Sequence, residues 1–223
     1  MQLLSVAGYV MLFATLLFAP ARSWHWPAAW VLLGVLLVSR GVSTVALHRG
    51  NPALLEERAR FPVQRQQAPM DRILLPAFMA AFAAQVAFVS FDDWRLRLLP
   101  PPPAWVRALG LAAFVFGWAV VHRALRTNSF AVTVVRHQAE RGHTVVTSGP
   151  YAIVRHPMYA GLVLVTIGLA LWLGSTAGTI AALLPIALLA IRIVVEERVL
   201  RRSLPDYARY ADTVRWRLVP GLW

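Results

Sequence analysis

The chain lacks cysteine and lysine altogether, and only 14% of its 223 residues are charged. Without cysteine it can form no disulfide, no zinc–thiolate or iron–sulfur site and no cysteine nucleophile. The six histidines form neither an i,i+4 pair nor a His-Glu-x-x-His arrangement, which argues against a metal site. The glycine fingerprint of a dinucleotide-binding fold is also missing, so any nucleotide pocket must be built from helices and their loops.

Long apolar runs dominate the chain: 58% of the residues are hydrophobic, and the mean hydropathy is +0.58. Both values are typical of a membrane protein. The runs cover residues 3–20, 27–47, 73–91, 104–122, 158–173 and 177–195. They predict an all-α, polytopic membrane protein with about six transmembrane helices, folded as a single domain over residues 1–223.

All 22 basic residues are arginines, and the net charge is +12. In a soluble protein this charge would suggest a nucleic acid partner, but basic residues of membrane proteins collect in cytoplasmic loops and meet anionic lipids there. With six spans, residues 48–72, 123–157 and the tail from 198 share one face. The first of these stretches holds Arg49, Arg58, Arg60, Arg65 and Arg72.

The opposite face holds only Arg22, Arg95, Arg97 and Arg107. The excess of arginines on the first face predicts a bacterial inner-membrane protein with both termini and the active site in the cytoplasm. Membrane lipids are then the expected partners, and nucleic acid is not expected.

The last two apolar runs predict a C-terminal helical hairpin. They are joined by the short turn 174–178, and Pro185 should kink the second arm. A re-entrant hairpin is the alternative. Beyond it, Leu204, Tyr207, Tyr210, Ala211 and Val214 recur at helical spacing among charged residues, which predicts an interfacial amphipathic helix. Residues 51–58 predict a short interfacial helix opened by Pro52.

The segment around Arg155-His156-Pro157 has the properties of an anion-binding helix start. Pro157 suits the first turn of a helix, whose free N–H groups and dipole favour a carboxylate or phosphate. Glu196 and Glu197 lie near the end of the next helix. The two ends together suit a zwitterionic, cationic small molecule such as S-adenosylmethionine.

Arg192 and Glu196 lie four residues apart, so they share a helix face, and Glu197 points to an adjoining one. An intrahelical ion pair is the simplest interpretation. However, the order Arg-then-Glu is the weaker orientation, and an arginine deep in an apolar run usually faces a cavity. We therefore favour a functional role for the pair. Tyr151 and Tyr159 suit either ligand stacking or the interfacial aromatic belt.

Several motifs together resemble the isoprenylcysteine carboxyl methyltransferase and phospholipid methyltransferase superfamily. The matching residues are Gly149-Pro150-Tyr151, Arg155-His156-Pro157-x-Tyr159, Glu196-Glu197, Tyr207, Tyr210 and Arg217-Leu218-Val219-Pro220. The resemblance covers about the C-terminal half. It implies that residues 127–223 form an S-adenosylmethionine-binding core, while residues 1–126 supply N-terminal transmembrane helices.

Carried onto this chain, the resemblance implies two sets of site residues. The cofactor set is His143, Val145, Gly149, Tyr151, His156, Tyr159 and Glu197, and Asn128 is a further candidate. Arg192, Glu196 and Arg217 are implied at the methyl acceptor. The implied reaction is S-adenosylmethionine-dependent methylation of a lipophilic small molecule or prenylated substrate.

The acceptor itself stays open between two chemistries. A prenylcysteine carboxylate needs a cation to orient it, which Arg192 offers, whereas a phosphatidylethanolamine amine must lose a proton, which Glu196 can take. The Arg192–Glu196 spacing and the Arg-Leu-Val-Pro ending favour carboxyl methylation of an isoprenylcysteine-like substrate. An NADPH-dependent enzyme similar to sterol reductases and a non-catalytic membrane protein remain as other classes.

Overall fold

The computed structural model describes residues 2–60, 64 and 66–223, with side chains from Val6 onward. Arg65 of the predicted arginine-rich loop lies outside these residues. Over the described ranges the chain is helical and contains no β-strand. The helices are α1 (Gln2–Ala21), α2 (Pro27–Gly50), α3 (Pro52–Ala59), α4 (Asp71–Phe91), α5 (Ala104–Thr127), α6 (Pro157–Leu173), α7 (Thr176–Ala181), α8 (Leu183–Ser203) and α9 (Tyr207–Thr213).

Each predicted apolar run forms a helix, so the protein is an all-α integral membrane protein. The stretches Pro27–Gly50, Asp71–Leu96, Ala104–Thr127 and Thr176–Ser203 are long and apolar enough to cross a membrane. Val6–Ala21 and Pro157–Leu173 are shorter apolar helices. The predicted short helix after Asn51 is α3, and the Asn51 side chain caps it by accepting from the Leu54 N–H at 3.0 Å.

The C-terminal hairpin consists of α6 on one side and α7 with α8 on the other. Gly174 ends α6 with φ +94°, and Ser175 caps α7 by accepting from the Gly178 N–H at 2.7 Å. The helix is interrupted at Ala182, between α7 and α8. Pro185 explains this break, because it lacks an N–H for the carbonyl of Ala181 and its ring crowds that carbonyl.

Helices α5 and α6 approach each other through glycines spaced seven residues apart, Gly110 and Gly117 on α5 and Gly161 and Gly168 on α6. A Cβ atom added to Gly117 would lie 2.6 Å from the Gly161 carbonyl oxygen, and one added to Gly161 would lie 2.6 Å from that of Gly117. Small residues let transmembrane backbones pack closely where lipid offers no hydrophobic drive for association. This contact fixes the start of α6 relative to the end of α5.

The tail helix α9 packs on the protein. Its predicted apolar face, with Leu204 before it and Val214 after it, is buried against Val145 and Leu200. Arg209 and Arg215 remain exposed on the other side. The prediction of an amphipathic helix is therefore confirmed. Its apolar face packs on the protein at the arginine-rich end of the helix bundle.

Candidate active site

A cleft opens at the arginine-rich end of the protein. Its walls are the segment 128–146, the first turn of α6, the last turns of α8 and the tail around α9. The cleft encloses about 800 Å³ including its open mouth. Its lining combines aliphatic side chains with a few polar groups, as ligand sites commonly do.

Glu197 lies behind the cleft in a buried cluster of charges. Its Oε1 accepts from Arg155 Nε at 2.7 Å and lies 3.2 Å from His156 Nε2. Its Oε2 accepts from Arg217 Nε at 3.1 Å. Because three donors surround one carboxylate, the ionised form is held firmly, and the cluster joins α8 to the start of α6 and to the tail.

Arg155 fastens the tail to the bundle. Its Nη1 donates to three backbone carbonyls at the end of α9 and just after it, those of Ala211, Val214 and Arg215, at 3.2, 2.8 and 3.0 Å. The backbone N–H groups of Arg155 and His156 donate to the carbonyls of Trp216 and Arg217, both at 2.9 Å. The tail thus satisfies donors that the sequence offered to an anion at this helix start.

Glu196 faces the cleft, unlike its neighbour. Its Oε2 accepts a hydrogen bond from the Tyr159 hydroxyl at 2.6 Å, and both residues line the cleft. The ring of His156 stacks on that of Tyr159, with the centroids 5.7 Å apart. A carboxylate, a phenol and an imidazole therefore form one continuous polar wall.

Arg192 also lies against the Tyr159 ring and is held there by two partners. Its Nε donates to Asp71 Oδ1 at 2.7 Å, and its Nη2 donates to the Thr133 carbonyl at 2.5 Å. The guanidinium carbon lies 5.6 Å from the centre of the Tyr159 ring. Arg192 therefore does not pair with Glu196 in its own helix, and its charge is compensated by a residue from α4.

Asp71 is a site-building residue that sequence reasoning missed. It is fully buried, and its Oδ2 accepts from the Gln67 side chain and from the Val135 N–H, both at 2.8 Å. It thus ties α4 and α8 to the segment 128–146. A lone acid before an apolar run is typical of a helix start, so the sequence offered no signal for this partnership.

The segment 128–146 carries His143, Val145 and Asn128 into the lining of the cleft. His143 stacks against Phe130 with ring centroids 4.5 Å apart, and its Nδ1 accepts from the Gln138 N–H at 3.4 Å. Burial, with a smaller effect of His137, lowers the pKa of His143 to about 4. The imidazole is therefore neutral at neutral pH and offers one donor and one acceptor.

Two tyrosines of the tail complete the cleft. The Tyr210 hydroxyl donates to the Tyr151 carbonyl at 2.7 Å, which fixes the short helical turn Gly149–Ala152. The Tyr207 hydroxyl is buried and has no hydrogen-bond partner among the described residues. Burial also raises the pKa of Tyr207, so the phenol stays protonated and its O–H is available as a donor. Sequence reasoning assigned Tyr207 to the amphipathic helix and not to a site.

Six of the ten predicted site residues line the cleft: His143, Val145, Tyr151, His156, Tyr159 and Glu196. Glu197, Arg217 and Arg192 support it through the contacts above. Gly149 stands beside it with φ +58°, and an added Cβ would lie 3.1 Å from Thr127 Oγ1. The predicted positions thus converge on one place, although the role of each remains a prediction. Within the described part of the chain, no group of three or more His, Asp or Glu side chains is arranged to hold a metal ion.

The helices and the cleft define an integral membrane protein with a partly polar cleft at its arginine-rich end. Comparison with known proteins makes the class more specific. The family model described as phospholipid methyltransferase matches residues 105–206. Protein-S-isoprenylcysteine O-methyltransferase B of Arabidopsis thaliana is 30% identical over 113 residues, which cover 49% of this chain and 57% of that protein.

A shorter match links the chain to the cobalt-zinc-cadmium resistance protein CzcN of Cupriavidus metallidurans. It is 38% identical over 72 residues, covering 32% of this chain and 33% of that protein. The chain thus matches between a third and somewhat over half of the length of these two relatives.

The fold is shared with a solved structure, the eukaryotic intramembrane Ras methyltransferase ICMT (isoprenylcysteine carboxyl methyltransferase). The TM-score is 0.58 at 18% identity, and the match covers 97% of this chain and 75% of that one. The comparisons confirm the predicted resemblance to the isoprenylcysteine carboxyl methyltransferase and phospholipid methyltransferase superfamily.

Proposed function

We propose that this protein is an S-adenosylmethionine-dependent methyltransferase of the bacterial inner membrane, and that it methylates the carboxylate of an isoprenylcysteine-like lipid. The observation that carries the proposal is the wall of Glu196, Tyr159 and His156 in a cleft between membrane helices. The similarity to isoprenylcysteine O-methyltransferases supports the choice of reaction. The arginine-rich end of the protein, and with it the cleft, is on the cytoplasmic side in this proposal.

The cleft residues fit the cofactor. The unpartnered Tyr207 hydroxyl and the neutral His143 offer hydrogen bonds, while Val145 and Tyr151 offer surfaces for an adenine ring. His156 binds at the carboxylate end of the cofactor, and Glu197 holds His156 in place from behind. Gly149 leaves room beside Thr127 at the turn. When bound, S-adenosylmethionine supplies an electrophilic methyl group on a positively charged sulfur.

Glu196, Arg192 and Arg217 act on the acceptor side. Glu196 contributes a negative charge next to the site of a developing reaction, with its orientation set by Tyr159. Arg192 fixes the Tyr159 ring and the segment 128–146 in place. Such residues accelerate a displacement mainly by aligning the reactants and by excluding water from the nucleophile.

A carboxylate acceptor suits this site because it is already ionised and needs no general base. An amine acceptor would have to lose a proton, and Glu196 is the only cleft-lining carboxylate among the described residues that could accept it. The match to the phospholipid methyltransferase family keeps phosphatidylethanolamine as the second candidate acceptor.

Ligand-induced thermal stabilisation of the purified protein in detergent tests the cofactor, because a ligand that binds the folded state raises the melting temperature. We expect S-adenosylmethionine and S-adenosylhomocysteine to stabilise the protein and NADPH to have no effect. Stabilisation by NADPH alone would favour a reductase, and no response to any of them would favour a non-catalytic protein.

Transfer of a radiolabelled methyl group tests the acceptor. Labelling of N-acetyl-S-farnesylcysteine, but not of phosphatidylethanolamine, is the expected result. Labelling of the phospholipid alone would show that the acceptor is an amine and not a carboxylate, and the proposal that the protein is a methyltransferase would still hold.

A further inference from the structure

Two half-buried arginines near the cleft, Arg58 on α3 and Arg40 on α2, have no carboxylate partner. No Asp or Glu oxygen of the described residues lies within 4 Å of either guanidinium. This is unusual, because a charge that is removed from water is normally paired. The sequence placed Arg58 in a predicted interfacial helix and Arg40 in an apolar run, and neither arginine is among the predicted site residues.

Arg58 reaches the wall of the cleft. Its Nη1 donates to the Ala131 carbonyl at 2.6 Å and lies 3.9 Å from Met158 Sδ, and both of these residues line the cleft. The Nε and Nη2 groups of Arg58 make no hydrogen bond within the described part of the chain. A planar guanidinium with two unused donor groups can bind a carboxylate with two parallel hydrogen bonds.

Arg40 lies within the membrane-spanning part of α2, close enough for its charge to act on Arg58. It lies ten residues before the end of α2, about 15 Å along the helix axis from that end. Its guanidinium carbon is 4.7 Å from the centre of the Tyr9 ring, and its buried Nε has no hydrogen-bond partner among the described residues. Burial and, to a smaller extent, the positive charge of Arg40 lower the pKa of Arg58 to about 10. The two cations therefore lie close enough to repel each other.

The other cations discussed above each contact a carboxylate. Asp71 neutralises Arg192, whereas Arg155 and Arg217 share the single negative charge of Glu197. An acceptor carboxylate that approaches the negatively charged Glu196 needs a positive charge that no other residue has taken. Arg58 meets this requirement, because it contacts the cleft wall and no carboxylate of the described residues lies within 4 Å of its guanidinium.

We propose that Arg58, with Arg40 as a second cation, binds the carboxylate of a membrane-borne acceptor and holds it at the cleft. The proposal rests on the proposed function and specifies which residues recognise the acceptor. Arg40 attracts the carboxylate within the membrane, and Arg58 binds it beside Ala131 and Met158. Arg192 then serves to position Tyr159 and does not itself hold the acceptor.

The test compares binding of N-acetyl-S-farnesylcysteine with binding of its methyl ester, measured by calorimetry in detergent in the presence of S-adenosylhomocysteine. A hydrogen bond to a charged group corresponds to a preference of about tenfold or more. We expect the wild type to prefer the acid by that factor, Arg58→Gln to lose the preference, and Arg58→Lys to retain part of it. Arg40→Gln should weaken the preference to a smaller extent.

Arg49→Gln is the matched control, because Arg49 is exposed on the same helix as Arg40. Equal affinity of the variants for S-adenosylhomocysteine shows that the fold is intact, and a purely structural role of Arg58 would leave the ratio of acid to ester binding unchanged. An unchanged ratio in both Arg58→Gln and Arg40→Gln overturns the proposal.

The same variants distinguish a lipid headgroup from the acceptor. If Arg58→Gln abolishes stabilisation by phosphatidylglycerol in nanodiscs but keeps the preference for the acid, the two arginines bind lipid phosphate and the proposal is wrong. If the wild type binds S-adenosylhomocysteine but methylates only phosphatidylethanolamine, the proposal also fails, while the methyltransferase assignment stands. Failure of the wild type to bind S-adenosylhomocysteine would contradict the proposed function itself.

Discussion

Adjacent carboxylates in α8 have opposite surroundings. Glu197 is buried among Arg155, His156 and Arg217, whereas Glu196 has one phenol partner and faces the cleft. Successive residues of a helix point about 100° apart, so one side chain can enter the packed interior while the next reaches the ligand site. Glu197 therefore supports the site, and Glu196 is exposed to whatever binds there.

Glu196→Gln tests this difference at the residue scale. The amide keeps the size of the side chain but removes its negative charge, so we expect methyl transfer to fall by about 100-fold, as for a misaligned active site. Affinity for S-adenosylhomocysteine should stay within a few-fold. Radiolabel transfer and calorimetry on the same preparation measure the two quantities.

Arg192→Lys is a second single variant that tests the acceptor side. Lysine keeps the charge but cannot contact Asp71 and the Thr133 carbonyl together as the guanidinium does, so transfer should fall here as well. Glu56→Gln is the control, because Glu56 is exposed on α3. Wild-type turnover by both Glu196→Gln and Arg192→Lys would remove the pair from the acceptor side.

At the scale of elements, the close contact of α5 and α6 determines where the first turn of α6 lies. The motif Arg155-His156-Pro157 begins that helix, so its position depends on the glycine contact further along it. Bulk at Gly161 would push the helices apart, because the Gly117 carbonyl already occupies the space of a side chain.

Gly161→Val should therefore destabilise the protein by about 1 to 3 kcal/mol, the usual cost of overpacking. Gly34→Val is the matched control, because Gly34 lies inside α2 with no heavy atom within 4 Å of an added Cβ. Both substitutions replace a helical glycine by the same residue, so their difference isolates the helix contact. Thermal unfolding in detergent measures it, and equal melting temperatures would show that the α5–α6 distance can relax freely.

At the scale of the whole molecule, the orientation in the membrane follows from the arginines. We expect the loops 48–72 and 123–157 and the tail on the cytoplasmic side. The chain has no cysteine, so single substitutions give an unambiguous label. Ser148→Cys and Ser203→Cys should react with an impermeant thiol reagent only after the cells are opened.

Ser23→Cys, in the short connection between α1 and α2, should react in intact cells. Ser90 is less suitable, because its side chain is fully buried and donates to the Leu17 carbonyl. Labelling of Ser203→Cys in intact cells, with Ser23→Cys protected, would reverse the orientation and place the cleft outside the cytoplasm.

Local sequence determined the helices and most of the site. Apolar runs specify membrane helices because every backbone polar group must be bonded within the hydrocarbon region. All six predicted runs are helical, and four of the resulting stretches are long and apolar enough to cross a membrane. Pro157, Pro185 and Asn51 act on their own neighbours, and the helix start and the helix break lie where these residues require them. The positions of the motif residues around His156 and Glu196 follow from where α6 begins and where α8 ends.

Only the tertiary structure decided which charges are compensated. Arg192 is four residues from Glu196 in sequence but pairs with Asp71, 121 positions away, and Arg155 pairs with Glu197 and with carbonyls beyond α9. In sequence, Arg58 looks like an ordinary member of an arginine-rich stretch, and Arg40 is a single charge in an apolar run. That neither has a carboxylate partner among the described residues emerges only from the packing of α2 and α3. Which charges pair in a membrane interior depends on which helices become neighbours. Helix neighbours are set by packing, such as the glycine contact of α5 and α6, and a local pattern of charges does not encode that packing.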